Sequence, residues 1–213
     1  MNCAASASNS VNTPYFATFV DGRRGEILDA ALEVFADKGY EVGTMREIAA
    51  RVGVTEPALY RHYTGKEALL IDLVTTAGDR IVSEANRRLS EVQPESLRTS
   101  LGNLLHMRRR DTTDNRLVMR TIMDAAPHNE SMKTTFREHF GKPMADNIRR
   151  FVPRVDAFFG IPVRPAEELD ARVRAFMSLF IGYFMTSMFF EHQTNDDAIV
   201  DAMLAIMGWS QAV

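Results

Sequence analysis

Residues 44–63 read TMREIAARVGVTEPALYRHY. Two helices of unequal length are encoded in that stretch. Thr44-Met-Arg-Glu47 is a capping box, in which Thr44 and Glu47 satisfy each other's free backbone N–H groups at a helix start. Ile48, Ala49 and Val52 then recur as a buried stripe, and Gly53 permits a tight reversal. Thr55 caps a second helix, with Pro57 in a first turn whose N–H groups lack helical partners anyway. This second helix has barely two turns and cannot stand alone, because helix nucleation is costly. Leu59 and Tyr63, four apart, must therefore pack inward against Ile48 and a preceding helix. Glu56, Tyr60, Arg61 and His62 are left facing out.

Working outward, the same helical spacing continues. A first helix is predicted over 22–38, with Ile27, Ala30, Ala31, Val34 and Phe35 on one face and Gly39 at its end. Thr64-Gly-Lys-Glu67 reads as another capping box, opening a long fourth helix to about Leu89. Further helices are predicted over 94–109, 113–125, 129–159, 166–191 and 196–210. Pro143 and Pro153 are expected to break or kink the third of these. Pro162 and Pro165 mark a loop, and Asn195 is a candidate N-cap. Strand signals are scarce. The predicted fold is therefore all-α: a three-helix helix-turn-helix domain over 21–68, then a helical-bundle body over 69–213. Residues 1–20, rich in Ser, Asn and Ala without a basic start or apolar run, read as a disordered tail and not as a signal peptide.

Composition narrows the function. The chain has 213 residues, 46% of them hydrophobic, and a formal net charge of -3. That argues against a coat for nucleic acid but permits a local basic face, since charges beyond roughly 8 Å are screened. The single Cys3 allows no internal disulfide, consistent with a reducing cytoplasm. The most apolar run, AFMSLFIGYFMTSMFF over 175–190, is shorter than the roughly 20 residues that cross a bilayer, and Arg174 and Glu191 flank it. A buried helix is expected there, and no membrane partner. No His-Glu-x-x-His, paired cysteine, glycine-rich phosphate loop or Gly-x-Ser-x-Gly occurs, so neither enzyme chemistry nor a metal or cofactor is expected.

Helix, glycine turn, helix is the pattern whose second helix enters the major groove of DNA. Helix starts at Thr44, Thr55 and Thr64 offer N–H groups to phosphates, with Arg46 and Lys66 in first turns. Tyr60 and His62 can donate to the DNA backbone, which positions without specifying. Glu56 can accept from cytosine N4 and Ala58 can touch a thymine methyl, while Arg61 can reach guanine or phosphate. The segment 22–68 is not basic in sum. Docking requires that Arg46, Arg61 and Lys66 face one way and most of the acids, many on the first helix, another.

The run AALEVFADKGYEVGTMREIAARVGVTEPALYRHYTGKEALL, residues 30–70, closely resembles the amino-terminal domain of the TetR family of bacterial transcriptional regulators. Ala31, Phe35, Gly39, Tyr40, Thr44, Ile48, Ala49, Gly53, Val54, Leu59, Tyr60, Tyr63, Lys66, Glu67 and Leu69 carry the likeness in unbroken register. The resemblance implies a homodimer with an all-helical, effector-binding body, usually a repressor. It carries DNA contacts to Thr44, Arg46, Glu56, Pro57, Ala58, Tyr60, Arg61, His62 and Lys66. Glu56 departs from the uncharged residues commoner at its position. The expected partners are a roughly palindromic double-stranded operator, a second copy of the chain and a small apolar effector. An activator or a regulator without a ligand remains an alternative, as does a helical lipid carrier or enzyme that keeps the fold.

Met and Phe crowd the chain after residue 100. Met107, Met119, Met123, Phe136, Phe140, Phe176, Met177, Phe180, Tyr183, Phe184 and Met188 are either ordinary core or, as a group, the lining of an adaptable apolar effector pocket. His106, His128, His139, His192 and Asp124 are capping or surface residues, or polar hooks for such a ligand. Arg108, Arg109 and Arg110 suit a solvated helix end. Ser178, Gly182 and Thr186 recur every fourth residue, which lets two helices approach closely. With the resemblance, they and Met203, Ile206 and Met207 are assigned to a four-helix dimer interface, to which Trp209 would add apolar area.

Overall fold

A computed structural model of the chain describes residues 14–110, 112–125, 129–189 and 196–210; within these, the side chains at 104, 106–110, 112–116, 184–185 and 187–189 lie outside the description. The described residues contain helices and no strand. In chain order these are α1 (Gly22–Lys38), α2 (Met45–Val52), α3 (Glu56–Tyr60), α4 (Lys66–Glu91), α5 (Leu97–Arg110), α6 (Thr112–Ala125), α7 (Glu130–Phe136), α8 (Lys142–Phe158), α9 (Ala166–Phe189) and α10 (Asp196–Met207). Short 3₁₀ turns precede α1 and α5, and a π turn, Arg137–Gly141, joins α7 to α8.

Two apolar cores divide the molecule. The first gathers Ile27, Leu28, Ala31 and Phe35 of α1, Ile48 of α2, Leu59 of α3 and Leu69, Leu70 and Leu73 of α4. The second gathers Leu101 of α5, Met144, Ile148, Phe151 and Val155 of α8, Phe176 and Phe180 of α9, Met203, Leu204 and Met207 of α10, and Trp209. Helix α4 serves both. Its 26 residues reach about 39 Å at 1.5 Å per residue. Leu69 to Ala77 sit in the first core, Ala85 in the second.

The boundary between head and body is less sharp than residue 68 implied. Val118, Met119, Ile122 and Ala125 of α6 and Met132 of α7 also belong to the first core. Asp124 accepts the Tyr40 N–H at 2.6 Å and so caps the chain leaving α1.

The N-terminal expectation also needs revision over 14–20. Tyr15 and Phe16 are buried, and Asp29 accepts the N–H groups of Tyr15, Phe16 and Ala17 at 2.8, 2.6 and 2.9 Å. Arg80 lies 3.9 Å from the ring centre of Phe19. Aromatic burial and one carboxylate that satisfies three donors tie this segment to α1. Composition alone, dominated by Ser and Asn, concealed that.

Proline acts differently at its two sites. Pro143 lacks the N–H that an α-helix would direct at the His139 carbonyl, and the chain forms the π turn just before it. Pro153 sits inside an uninterrupted α8. The π turn lies against α4 at Gly78, where an added Cβ would stand 3.0 Å from the His139 carbonyl oxygen. A hydrogen at that position is what lets the two helices cross so closely.

Candidate nucleic-acid interface and apolar cavity

Local chemistry builds the outer face of the head. At α2 the capping box forms as read: the Glu47 N–H donates to Thr44 Oγ1 at 3.3 Å, and the Thr44 N–H donates to Glu47 Oε2 at 3.0 Å. Glu47 also pairs with Lys38. That ion pair, then the Thr44 bonds, holds the Glu47 carboxyl down at about 2. Gly53 takes a left-handed conformation, φ 78° and ψ 32°. The Val54 N–H reaches back to the Ala49 carbonyl at 2.9 Å, and the Gly53 N–H to Ala50 at 3.2 Å. That pattern of bonds is a Schellman turn, and only glycine adopts its geometry freely. Thr55 then accepts from the Ala58 N–H at 3.4 Å, with Pro57 in the first turn.

The short helix α3 is braced from behind. Leu59 is fully buried and Tyr63 nearly so. Burying a side chain such as Leu59 contributes roughly 1.5–3 kcal/mol. The Tyr63 hydroxyl donates to Asp72 Oδ2 of α4 at 2.6 Å, and Arg24 of α1 makes two bonds to the same carboxylate at 2.6 and 3.0 Å. Burial and the bond to Asp72 push the Tyr63 phenol up. Burial opposes ionisation of Asp72 too, but the bonds from Arg24 and Tyr63 outweigh it and hold that carboxyl below its usual range. The segment that follows α3 is thus pinned to α1 and α4 at one point.

Thr64 does not cap α4. The N-cap is Gly65, with no side-chain bond, so the second capping box read from sequence is absent. Lys66 takes over the anchoring: its Nζ donates to the carbonyls of Tyr40 and Glu41 at 2.6 and 2.9 Å and lies 4.6 Å from the Tyr40 ring centre. The ammonium expected to meet phosphate is directed at the α1–α2 turn.

Most of the other expected DNA contacts are at the surface. Thr44, Arg46, Thr55, Pro57, Tyr60, Arg61 and His62 are exposed, while Glu56, Ala58 and Lys66 are half-buried. Ion pairing separates the cations of the head into two sets. Arg23 pairs with Glu26, Arg24 with Asp72, Lys38 with Glu47 and Arg51 with Glu33. Among the described residues, Arg46 and Arg61 have no carboxylate partner. Sequence counting could not see this, because it weighs a neutralised arginine like a free one.

In the body, an apolar cavity of about 30 Å³ lies between α4, α5, α8, α9 and α10. Phe176, Met177 and Phe180 line it as expected, joined by Met144, Phe151 and Trp209, which sequence reasoning had not assigned to a pocket. The remaining expected pocket residues are elsewhere. Met119 is buried in the head core, Met123 is exposed, and Phe136 and Phe140 stack at 4.9 Å beside the π turn. The Tyr183 hydroxyl donates to Asp196 at 2.6 Å. The side chains of Met107, Phe184 and Met188 lie outside the description. Of the polar hooks, His139 pairs with Asp79 on the surface, Asp124 caps at Tyr40, and the others lie outside the described residues or side chains.

Ser178, Gly182 and Thr186 share an exposed face of α9 with Ala171 and Ala175. Met203 and Met207 do not belong with them. Both are fully buried in their own chain, and Met207 lines the cavity, so neither has surface left for a second copy. Ile206 is half-buried.

The fold and this face define a protein that presents a short helix on a three-helix head, carried on a helical body. Residues 27–73 match the family model of bacterial regulatory proteins of the tetR family. Over that segment, which spans the head and the start of α4, the chain is similar to this family. It is 36% identical over 105 residues to the HTH-type transcriptional activator FasR of Mycolicibacterium smegmatis, a match spanning 49% of this chain and 39% of that protein. It is 30% identical over 119 residues to the HTH-type transcriptional repressor AcnR of Corynebacterium diphtheriae, spanning 55% and 57%. The chain thus spans less than two thirds of the length of these curated relatives. In fold it resembles the transcriptional regulator FadR from Bacillus subtilis in complex with stearoyl-CoA, with a TM-score of 0.63 at 17% identity over 87% of this chain and 97% of that one. A regulator from Pseudomonas aeruginosa gives a TM-score of 0.70 at 15% identity, over 89% and 90%.

Proposed function

We propose that this chain is a DNA-binding transcription regulator that acts as a homodimer and responds to an apolar effector. The observation that carries the reading is the pair of exposed arginines, Arg46 in α2 and Arg61 at the end of α3, that have no carboxylate partner among the described residues while every other guanidinium of the head is paired. Two heads would place residues 55–62 in successive major grooves of a palindromic operator, about 34–36 Å apart. Arg46, Tyr60, Arg61 and His62 would hold phosphates, while Glu56 and Ala58 would meet base edges. Lys66 supports the face by fixing the α1–α2 turn. The exposed small residues of α9, Ser178, Gly182 and Thr186, suit close approach of a second copy.

The effector would act through α4. Its N-terminal end is tied to the head by Lys66, and its C-terminal carbonyls at Leu89 and Val92 accept from Arg154 of α8 at 2.8 and 2.7 Å. Ala85 and Leu89 are walls of the cavity. That cavity is far smaller than the roughly 300–1,000 Å³ of ligand pockets, so an occupant must part its walls and displace the end of α4. A shift there changes the spacing of the heads; such couplings amount to about 1–3 kcal/mol. The stearoyl-CoA bound by the Bacillus subtilis regulator supports a lipid-like occupant.

Genomic footprinting with the purified protein would supply the operator, and gel-shift titration would then test the face. Arg61→Ala should weaken binding roughly tenfold at physiological salt and flatten the salt dependence by about one unit. Unchanged affinity and slope in a double Arg46→Ala, Arg61→Ala variant would remove this face from consideration.

A further inference from the structure

A polar groove of about 370 Å³ lies on the opposite side of the α4–α8 contact from the apolar cavity. The two share a wall. Ala85, Met144 and Ile148 face the cavity, whereas Asn86, Lys142, Asn147 and Arg150, one or two positions away on the same two helices, line the groove. Two features of the groove remain unexplained by folding. Asn147 is 5% exposed, and its Nδ2 has no acceptor among the described residues. Its Oδ1 accepts from Arg150, which fixes the amide orientation and leaves the donor as the unsatisfied atom. A buried donor left without an acceptor is destabilising. The second feature is charge. Asp146 pairs with Arg149 at 2.5 Å, and Glu138 with Arg137 at 3.3 Å and Lys142 at 3.7 Å. Among the described residues, Arg150 has no carboxylate partner. The groove therefore offers one buried amide donor and one uncompensated guanidinium, next to an apolar cavity.

We infer that this groove is the head-group site for an amphipathic effector with an anionic head and a long apolar chain. The chain would enter the cavity against Phe176, Phe180 and Trp209. An oxygen at the junction would accept from Asn147 Nδ2, and the negative charge would rest against Arg150. The inference deepens the effector reading above and rests on it. The common chemistry is an oxyanion on a lipid chain, either a fatty carboxylate or the phosphates of an acyl-CoA.

Trp209 is the chain's single tryptophan and lines the cavity, so its fluorescence reports occupancy in the intact protein. Titration with palmitate, palmitoyl-CoA and the neutral hexadecanol, below their micellar concentrations, separates charge from chain. One of the anionic probes should bind roughly tenfold or more tightly than hexadecanol, and which one identifies the head group. Arg150→Ala should erase that preference while leaving hexadecanol unchanged; Arg137→Ala, an exposed cation outside the groove, should keep it. Equal binding of all three chains, or equal loss of anionic and neutral probes in Arg150→Ala, overturns the head-group site and leaves the apolar effector standing. No response to any chain overturns both.

Discussion

Head and body are held together by opposite means. In the head, order is local: a capping box, a left-handed glycine and a capped short helix are each specified by residues within five positions of one another. Its ion pairs lie at the surface, and its core is apolar. In the body, order is long-range, and the most buried charges sit at one end. Asp156 of α8 accepts from Arg164 at 2.7 and 2.8 Å and from the Trp209 indole at 2.7 Å. Arg164 also donates to the Met207 carbonyl at 2.7 Å, closing α10. The body is thus pinned at its far end beside a cavity, while the head is closed by short-range bonds around an apolar core. The function proposed above asks for that contrast: a DNA-reading surface keeps its shape, and a sensing core changes it.

The strongest way to break this comparison is at the pin. Asp156 and Arg164 have side chains only 6% and 8% exposed. Asp156→Ala would leave the guanidinium and the indole N–H without their acceptor. Removing one partner of a buried pair costs about 3–5 kcal/mol. Chemical denaturation should show that loss, with Trp209 emission shifting to the red in the folded baseline. A loss below about 1 kcal/mol would mean that apolar packing alone holds the body's end.

A smaller effect tests the head, with two glycines as a matched pair. An added Cβ meets nothing within 4 Å at either Gly53 or Gly65. Gly53 has φ 78°, whereas Gly65 has φ 171°, an extended conformation open to any residue. Gly53→Ala should therefore cost about 1–2 kcal/mol from backbone strain alone, whereas Gly65→Ala carries no such strain and should lose less, only the poorer N-capping of alanine. Asn at 53 should recover part of the loss, because its side chain tolerates the left-handed region. Equal melting temperatures for the two alanine variants would show that the turn is not what fixes α3.

The same contrast explains what was legible in the sequence. The helices of the head and the face of α3 could be read because caps, glycine and helical spacing are short-range signals. Thr44 and Thr64 show the limit, since Ser/Thr-x-x-Glu occurs at both and only the first forms a capping box. Gly65, not Thr64, starts α4, and the lysine that follows is drawn to carbonyls from residues 40 and 41. In the body, helix positions were readable but neighbours were not. Met119 and Met177 look alike in sequence. One fills the head core and the other lines the cavity, because α6 turns toward α1 while α9 faces α8. Met203 and Met207 likewise turn inward to the core of their own chain.

The smallest expected effect concerns the surface pairs that distinguish the head. Glu47 is held at about 2, against an ordinary value of 4.5, by Lys38 and by Thr44. A carboxyl depressed on folding stabilises the native state fully above its unfolded value and loses that contribution as pH falls through the folded one. The window is therefore from about 4.5 down to about 2. Denaturation midpoints of wild type and Glu47→Gln should converge across that interval and differ by a constant amount above it. Because Lys38 and Glu47 are both well exposed, raising the salt should shrink the difference; a buried pair such as Asp156–Arg164 would be nearly indifferent. Lys38→Met should reproduce the salt-sensitive part and leave the part due to Thr44. If the Glu47 contribution instead persists at high salt and in the Lys38 variant, the capping bonds alone anchor the start of α2, and the head owes its local order to backbone geometry rather than to surface charge.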